Sequence, residues 1–247
     1  MKKILLNVLL MLVWVGASTI FSQLVVYYFL LAVLGEEVSG QAVWTAVYSA
    51  LSYVLTLVLV IFVPLLIRKK ESFRKKDLAQ ERNELGLRGL PTWTDNRLAP
   101  DGFIVYLILA AGLTALFTLF PWFSAEETQS IGFSVYAFGI DRVIAFVTLV
   151  VVAPIAEEVI FRGWLYGKIR KVLNKKMPEW ASIMVAILSV SLLFGLVHFQ
   201  WNVGVNVFAM SIVLCGLREI TGTTYAGMLM HMLKNGFAFY LLFVLGM

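Results

Sequence analysis

Long apolar runs with few or no charges alternate along the chain with polar connections. The runs fall at 4–34, 43–67, 103–123, 139–167, 181–199, 202–217 and 225–246. Each approaches or exceeds the ~20 residues that an α-helix needs to cross ~30 Å of hydrocarbon. The pattern predicts an all-α fold: a polytopic transmembrane helical bundle of about 7–8 helices, eight if the long first or fourth run is broken. The runs at 181–199 and 202–217 are short and tightly joined. One of them is expected to tilt or to stop short of crossing. Neither an internal repeat nor a low-complexity segment is present.

The first run follows Met1-Lys2-Lys3, as in a signal peptide, and Gly16-Ala17-Ser18 has the small residues of a cleavage site. The run from Ile4 to Leu34 is roughly twice a usual signal core, so an uncleaved first span is expected. The longest polar stretch, 68–101, reads as a loop. Within it Asp77–Leu85 has the pattern of a short interfacial helix, and Gly86, Gly89 and Pro91 break the chain after it.

Composition narrows the class. The 247 residues are 60% hydrophobic and only 14% charged. A soluble domain is nearer half apolar and a quarter charged. Nearly the whole chain is therefore needed for spans, and 1–247 reads as one integral membrane domain with lipids as its surroundings. The net charge of +5 is gathered in clusters. Lys2 and Lys3 precede the first run. Arg68, Lys69, Lys70, Arg74, Lys75, Lys76, Arg82 and Arg88 follow the second. Lys168, Arg170, Lys171, Lys175 and Lys176 follow the fourth. The intervening loops hold Glu36-Glu37 and Glu126-Glu127. An excess of Lys and Arg marks cytoplasmic loops, so the N-terminus, the 68–101 loop and the third cluster are expected in the cytoplasm. A bacterial plasma membrane is the expected setting, and no nucleic-acid motif occurs. The single cysteine, Cys215, rules out an internal disulfide and a multi-cysteine metal site.

The chemistry lies in polar residues inside these runs, where ionisable side chains are costly unless paired or hydrated. Glu157 and Glu158 are adjacent, so on a helix they point about 100° apart and serve different partners. Arg162 lies four residues after Glu158, on the same face, where the two charges can neutralise each other. Pro154, one turn earlier, lacks an N–H and is expected to kink the helix. Read alone, the group also fits a solvated helix end with a surface ion pair. The two histidines, His198 and His231, are the only ones in the chain. His198 follows Phe194 by four residues on one face. His231 and Asn235 are one turn apart, where an imidazole and an amide can bind one water or substrate oxygen. Each also fits an ordinary polar contact between helices. Lys234, beside Asn235, is expected to snorkel to the interface.

Taken together, Glu-Glu-x-x-x-Arg (Glu157, Glu158, Arg162), Phe-x-x-x-His (Phe194, His198) and His-x-x-x-Asn (His231, Asn235) resemble the CPBP family. That family includes type II CAAX prenyl endopeptidases and Abi-type intramembrane proteases. No motif position departs from its pattern, and the resemblance covers about residues 140–240. The first hundred residues share only their spans and loops. The resemblance implies a helical membrane fold around a polar intramembrane catalytic cavity and endopeptidase activity on a membrane-associated peptide or protein. Glu157 and His198 would activate water, His231 and Asn235 would stabilise the oxyanion, and Arg162 would hold Glu158.

Glu157, His198 and His231 also make up a three-ligand set of the kind that holds catalytic zinc, though no His-Glu-x-x-His signature occurs. Zinc and metal-free catalysis both stay open on the sequence. A silent member that uses the cavity for binding or immunity is the rival reading. A transporter is disfavoured because repeated halves are missing. The charge pattern places the site toward the basic-loop half of the membrane. Glu157 would lie ~16 Å from Lys168, and His231 ~9 Å from the start of the last run. His198, ~27 Å from Trp180, fits these depths only if its helix is tilted or starts outside the hydrocarbon.

Overall fold

The computed structural model describes residues 2–35, 41–64, 75–125, 133–134 and 137–246, with the backbone alone described for 75–79. The acidic pairs at 36–37 and 126–127 and the basic residues at 68–74 lie outside the described residues. Among the described residues eight helices follow one another: α1 (Lys2–Leu34), α2 (Ala42–Phe62), α3 (Lys75–Glu84), α4 (Trp93–Phe117), α5 (Gly139–Leu173), α6 (Glu179–Leu196), α7 (Trp201–Thr221) and α8 (Tyr225–Leu245). All except α3 are long and apolar enough to cross a membrane. The protein is thus an integral, multi-pass helical bundle, as the apolar runs predict. By length both α6 and α7 cross: their 18 and 21 residues span ~27 and ~31 Å. The polar turns at the end of α7 hid its last residues.

α4 begins ten residues before the apolar run that predicted it. Thr92 and Asp95 close a capping box. The Thr92 N–H donates to Asp95 Oδ2 at 2.8 Å, and the Asp95 N–H donates to Thr92 Oγ1 at 3.2 Å. This reciprocal pairing starts a helix in polar sequence. The stretch 68–101, expected as a loop, therefore contains α3, close to the short helix expected there, and the first turns of α4.

The connection between α3 and α4 is strapped to one end of the bundle. Lys168 bridges to Glu81 at 3.1 Å and Glu84 at 2.9 Å, and Lys171 reaches Glu84 at 2.9 Å. Arg218 donates to the Glu84 carbonyl at 3.0 Å, and the Thr224 N–H donates to the Gly86 carbonyl at 3.1 Å. A Cβ on Gly163 would stand 3.0 Å from the Leu85 carbonyl oxygen, so only glycine lets the strap lie this close. Partial burial raises the Glu84 carboxyl pKa, but hydrogen bonds from Lys168 and Lys171 outweigh it and hold the group at about 2.

The buried core gathers α5, α6 and α7 around Ile160, Leu165, Ile169, Phe194, Met210 and Leu214. α6 and α7 cross at two glycines. A Cβ on Gly195 would lie 2.9 Å from the Gly204 carbonyl oxygen, so the backbones meet through small residues. The chain then turns at Phe199, whose φ of 54° is left-handed for a bulky residue. Such a conformation costs about 1–3 kcal/mol and persists only where the surroundings impose it. The turn fixes the end of α6 and, with it, His198.

Candidate active site

Glu157, His198, His231 and Asn235 line one cavity of about 480 Å³. The depths agree because α5 and α6 share a short turn. Counting along the helices, Glu157 stands sixteen residues, ~24 Å, before the end of α5. His198 stands nineteen residues, ~28 Å, after the start of α6. The mismatch expected between Glu157 and His198 narrows to ~4 Å because α5 runs five residues past Lys168.

α5 is built to project these groups. Turns with i→i+5 hydrogen bonding occupy Val147–Val152 and Val159–Tyr166, on either side of Ala153–Glu158. Such wide turns cluster at functional sites. In the first, the Ala153 N–H donates to the Thr148 carbonyl. By the same spacing the partner of the Leu149 carbonyl is Pro154, which has no N–H. Asn235 fills the vacancy: its Nδ2 donates to Leu149 O at 2.8 Å. A backbone carbonyl orphaned by proline thus pulls α8 against α5. One amide proton of Asn235 is engaged there, and the other remains for a ligand.

The adjacent carboxylates divide as the helix geometry predicts. Glu158 is fully buried against Arg162, at 2.9 Å. Its Oε1 also accepts from His231 Nδ1 at 3.1 Å. A Cβ on Gly227 would meet Glu158 Oε2 at 2.8 Å, so α8 offers glycine where the carboxylate needs room. Arg162 stacks over the Phe194 ring, 4.3 Å from its centroid. The Phe194 ring also meets His198 and His231 edge-on, at 5.2 and 6.2 Å. Phe194 is therefore the common floor of the site.

Glu157 points into the cavity and is 19% exposed. Its Oε1 accepts from the Tyr53 hydroxyl at 2.6 Å, and its Oε2 lies 3.9 Å from His231 Nε2. His198 Nδ1 lies 2.7 Å from the Phe194 carbonyl oxygen. A carbonyl only accepts, so the proton is on Nδ1 and the Nε2 lone pair is free. His231 is fixed in the same way: a carboxylate at Nδ1 requires a proton there, and Nε2 faces Glu157.

Each imidazole has its Nδ1 engaged by an oxygen, which leaves Nε2 for a water or a metal alike, and a phenol caps only Oε1 of Glu157. Among the described residues no three His, Cys, Asp or Glu side chains converge well enough to hold a metal ion.

Several polar residues of the cavity, among them Thr19, Gln23, Ser49 and Tyr53, were not singled out in the sequence. Tyr53 of α2 lies outside the three motifs. Its signal was present in Ser49, Ser52, Tyr53 and Thr56, a polar stripe at helical spacing in an apolar run. Lys234 does not snorkel as expected. It lines the cavity, as the one Lys or Arg among the described residues that do so.

The cavity also runs opposite to the expected direction. From α5 it is lined by Leu149, Ala153 and Glu157, and from α8 by His231, Phe239 and Phe243. From Glu157 back to Leu149, and from His231 on to Phe243, these residues lead away from the strapped, basic end. That end is closed by buried Glu158, Arg162, Leu165 and Ile169.

Residues 139–237 match the family described as type II CAAX prenyl endopeptidase, Rce1-like. No curated protein and no solved structure matches the chain. The matched segment begins with α5 and ends within α8, so it contains all three motifs and the helices that project them. Residues 139–237 are thus similar to the Rce1-like family, and the resemblance to the CAAX protease family read from the motifs is borne out over that segment.

Proposed function

We propose that this protein is an intramembrane endopeptidase that hydrolyses a peptide bond of a membrane-associated protein or peptide. The observation that carries the reading is the convergence of two free proton acceptors on one cavity: Glu157 Oε2 and His198 Nε2, each fixed by a hydrogen bond to its other heteroatom. A water held between them loses a proton to Glu157, and the hydroxide adds to the peptide carbonyl carbon. The oxyanion is met by the second N–H of Asn235 and by Nε2 of protonated His231. The C–N bond then breaks, and Glu157 returns the proton to the leaving amine. Every proton is carried by residues of the chain, and no step passes through a metal.

Arg162 and Glu158 touch no substrate in this scheme; they hold His231. General-base catalysis of this kind contributes about 10²–10⁴-fold. The test is terminal proteomics on membranes from cells that express wild type or Glu157→Gln. Wild type should generate new C- and N-termini that vanish with the variant. Identical termini in both would favour the silent binding reading.

We infer further that the N-terminus and the strapped end face the cytoplasm, by the excess of Lys and Arg there. The cavity then faces the other half of the membrane, and substrate enters from that side. Cysteine labelling at position 171, introduced into Cys215→Ser, checks this. Lys171 is exposed and Cys215 is buried. Labelling from the external side alone would reverse the orientation.

A further inference from the structure

We propose that Tyr53 is a positioning residue that selects which oxygen of Glu157 acts as base. The proposal rests on the protease reading, and it places part of the site on α2, outside the Rce1-like segment 139–237. The Tyr53 hydroxyl reaches Glu157 Oε1 at 2.6 Å across 104 residues of sequence. Its neighbours on the polar stripe do not do this: Thr56 donates to its own helix at the Ser52 carbonyl.

The Tyr53 ring packs against the main core. Farther along α2, Trp44 and Tyr48 stack at 5.4 Å, with Tyr27 of α1 against both. The phenol is thus presented from a helix pair that is itself fixed. A carboxylate with one oxygen capped by a short, charge-assisted hydrogen bond keeps one orientation. Here the capped oxygen is Oε1. Oε2 is left on the His231 side, where the cavity can place a water. Without the hydroxyl, the carboxylate rotates and either oxygen meets the cavity.

The test uses the full chain in detergent and Tyr53→Phe, which removes only the hydroxyl. Dicyclohexylcarbodiimide is the probe. Its rate of attachment to Glu157 at one fixed pH, read by peptide mass spectrometry, reports how free the carboxylate is. We expect Tyr53→Phe to melt as wild type does and to label several-fold faster at Glu157. The wild-type-dependent termini should form about ten- to a hundredfold more slowly, the scale of a hydrogen bond to a charged group. Equal labelling rates in the two proteins would overturn the proposal. A melting temperature lowered by about 10 °C or more would overturn it too, since the hydroxyl would then serve stability. The labelling arm needs no substrate. If Glu157→Gln keeps full cleavage while Tyr53→Phe still labels faster, the protease reading fails and the pairing stands.

Discussion

Two of the carboxylate–cation clusters in this bundle differ in how far water reaches them, and the difference separates their roles. The strap pairs Glu81 and Glu84 with Lys168 and Lys171, whose side chains keep between 11% and 58% exposure. The site pairs Glu158 with Arg162 at zero exposure on both sides. At the strap, solvent screens each charge, so losing one partner leaves the other hydrated. At the site, losing one partner strands a charge in an apolar interior. The same chemistry therefore serves as an adjustable fastening in one place and as an obligatory unit in the other. In the site, that unit is what holds His231.

The comparison breaks most readily at Arg162. Arg162→Ala leaves Glu158 unpaired and should cost about 3–5 kcal/mol, enough to lower the melting temperature in detergent sharply. Melting equal to wild type would mean that Glu158 is hydrated after all. Gly227→Ala acts on the same carboxylate from the other side. Its Cβ would stand 2.8 Å from Glu158 Oε2, so helix or side chain must shift, at about 1–3 kcal/mol. Asn235→Ala leaves the Leu149 carbonyl without a donor and should cost a similar amount. Asn235→Asp should not restore it, because an ionised carboxylate cannot donate.

The smallest effect is expected at the strap. Lys171→Ala should change stability by no more than about 1 kcal/mol, less in high salt. Glu84 gives the strap a pH signature. Its folded-state pKa of about 2 lies below the ordinary 4.5, so its contribution is complete above pH 4.5 and is lost as pH falls toward 2. Melting curves of wild type and Glu84→Gln should converge over that window. A gap that stays constant down to pH 2.5 would contradict the assignment.

Sequence revealed the spans and the chemistry of α5, α6 and α8, because charges in apolar runs stand out and helical spacing fixes their faces. Glu158 against Arg162, with Glu157 turned away, follows from 100° per residue alone. Other features depend on how helices meet. Tyr53 was hidden because a tyrosine in a span reads as an interfacial ring until the helix opposite is known. The link from Asn235 to Leu149 needed the wide turn, which gives the vacancy at Pro154 its address. The start of α4 was masked by Thr94, Asp95, Asn96 and Arg97, whose polarity argued for a loop while the capping box argued for a helix. The direction of the cavity was missed because charge patterns report the ends of helices, and the gap between helices is set by what packs in the middle.

The most direct test of the central claim uses purified protein in lipid vesicles with a chelator present. It measures cleavage of a substrate found by terminal proteomics, for wild type and for Glu157→Gln of equal melting temperature. The account predicts full wild-type cleavage in chelator and a loss of at least about 10²-fold in the variant. Cleavage abolished by the chelator, or retained by Glu157→Gln, would contradict it.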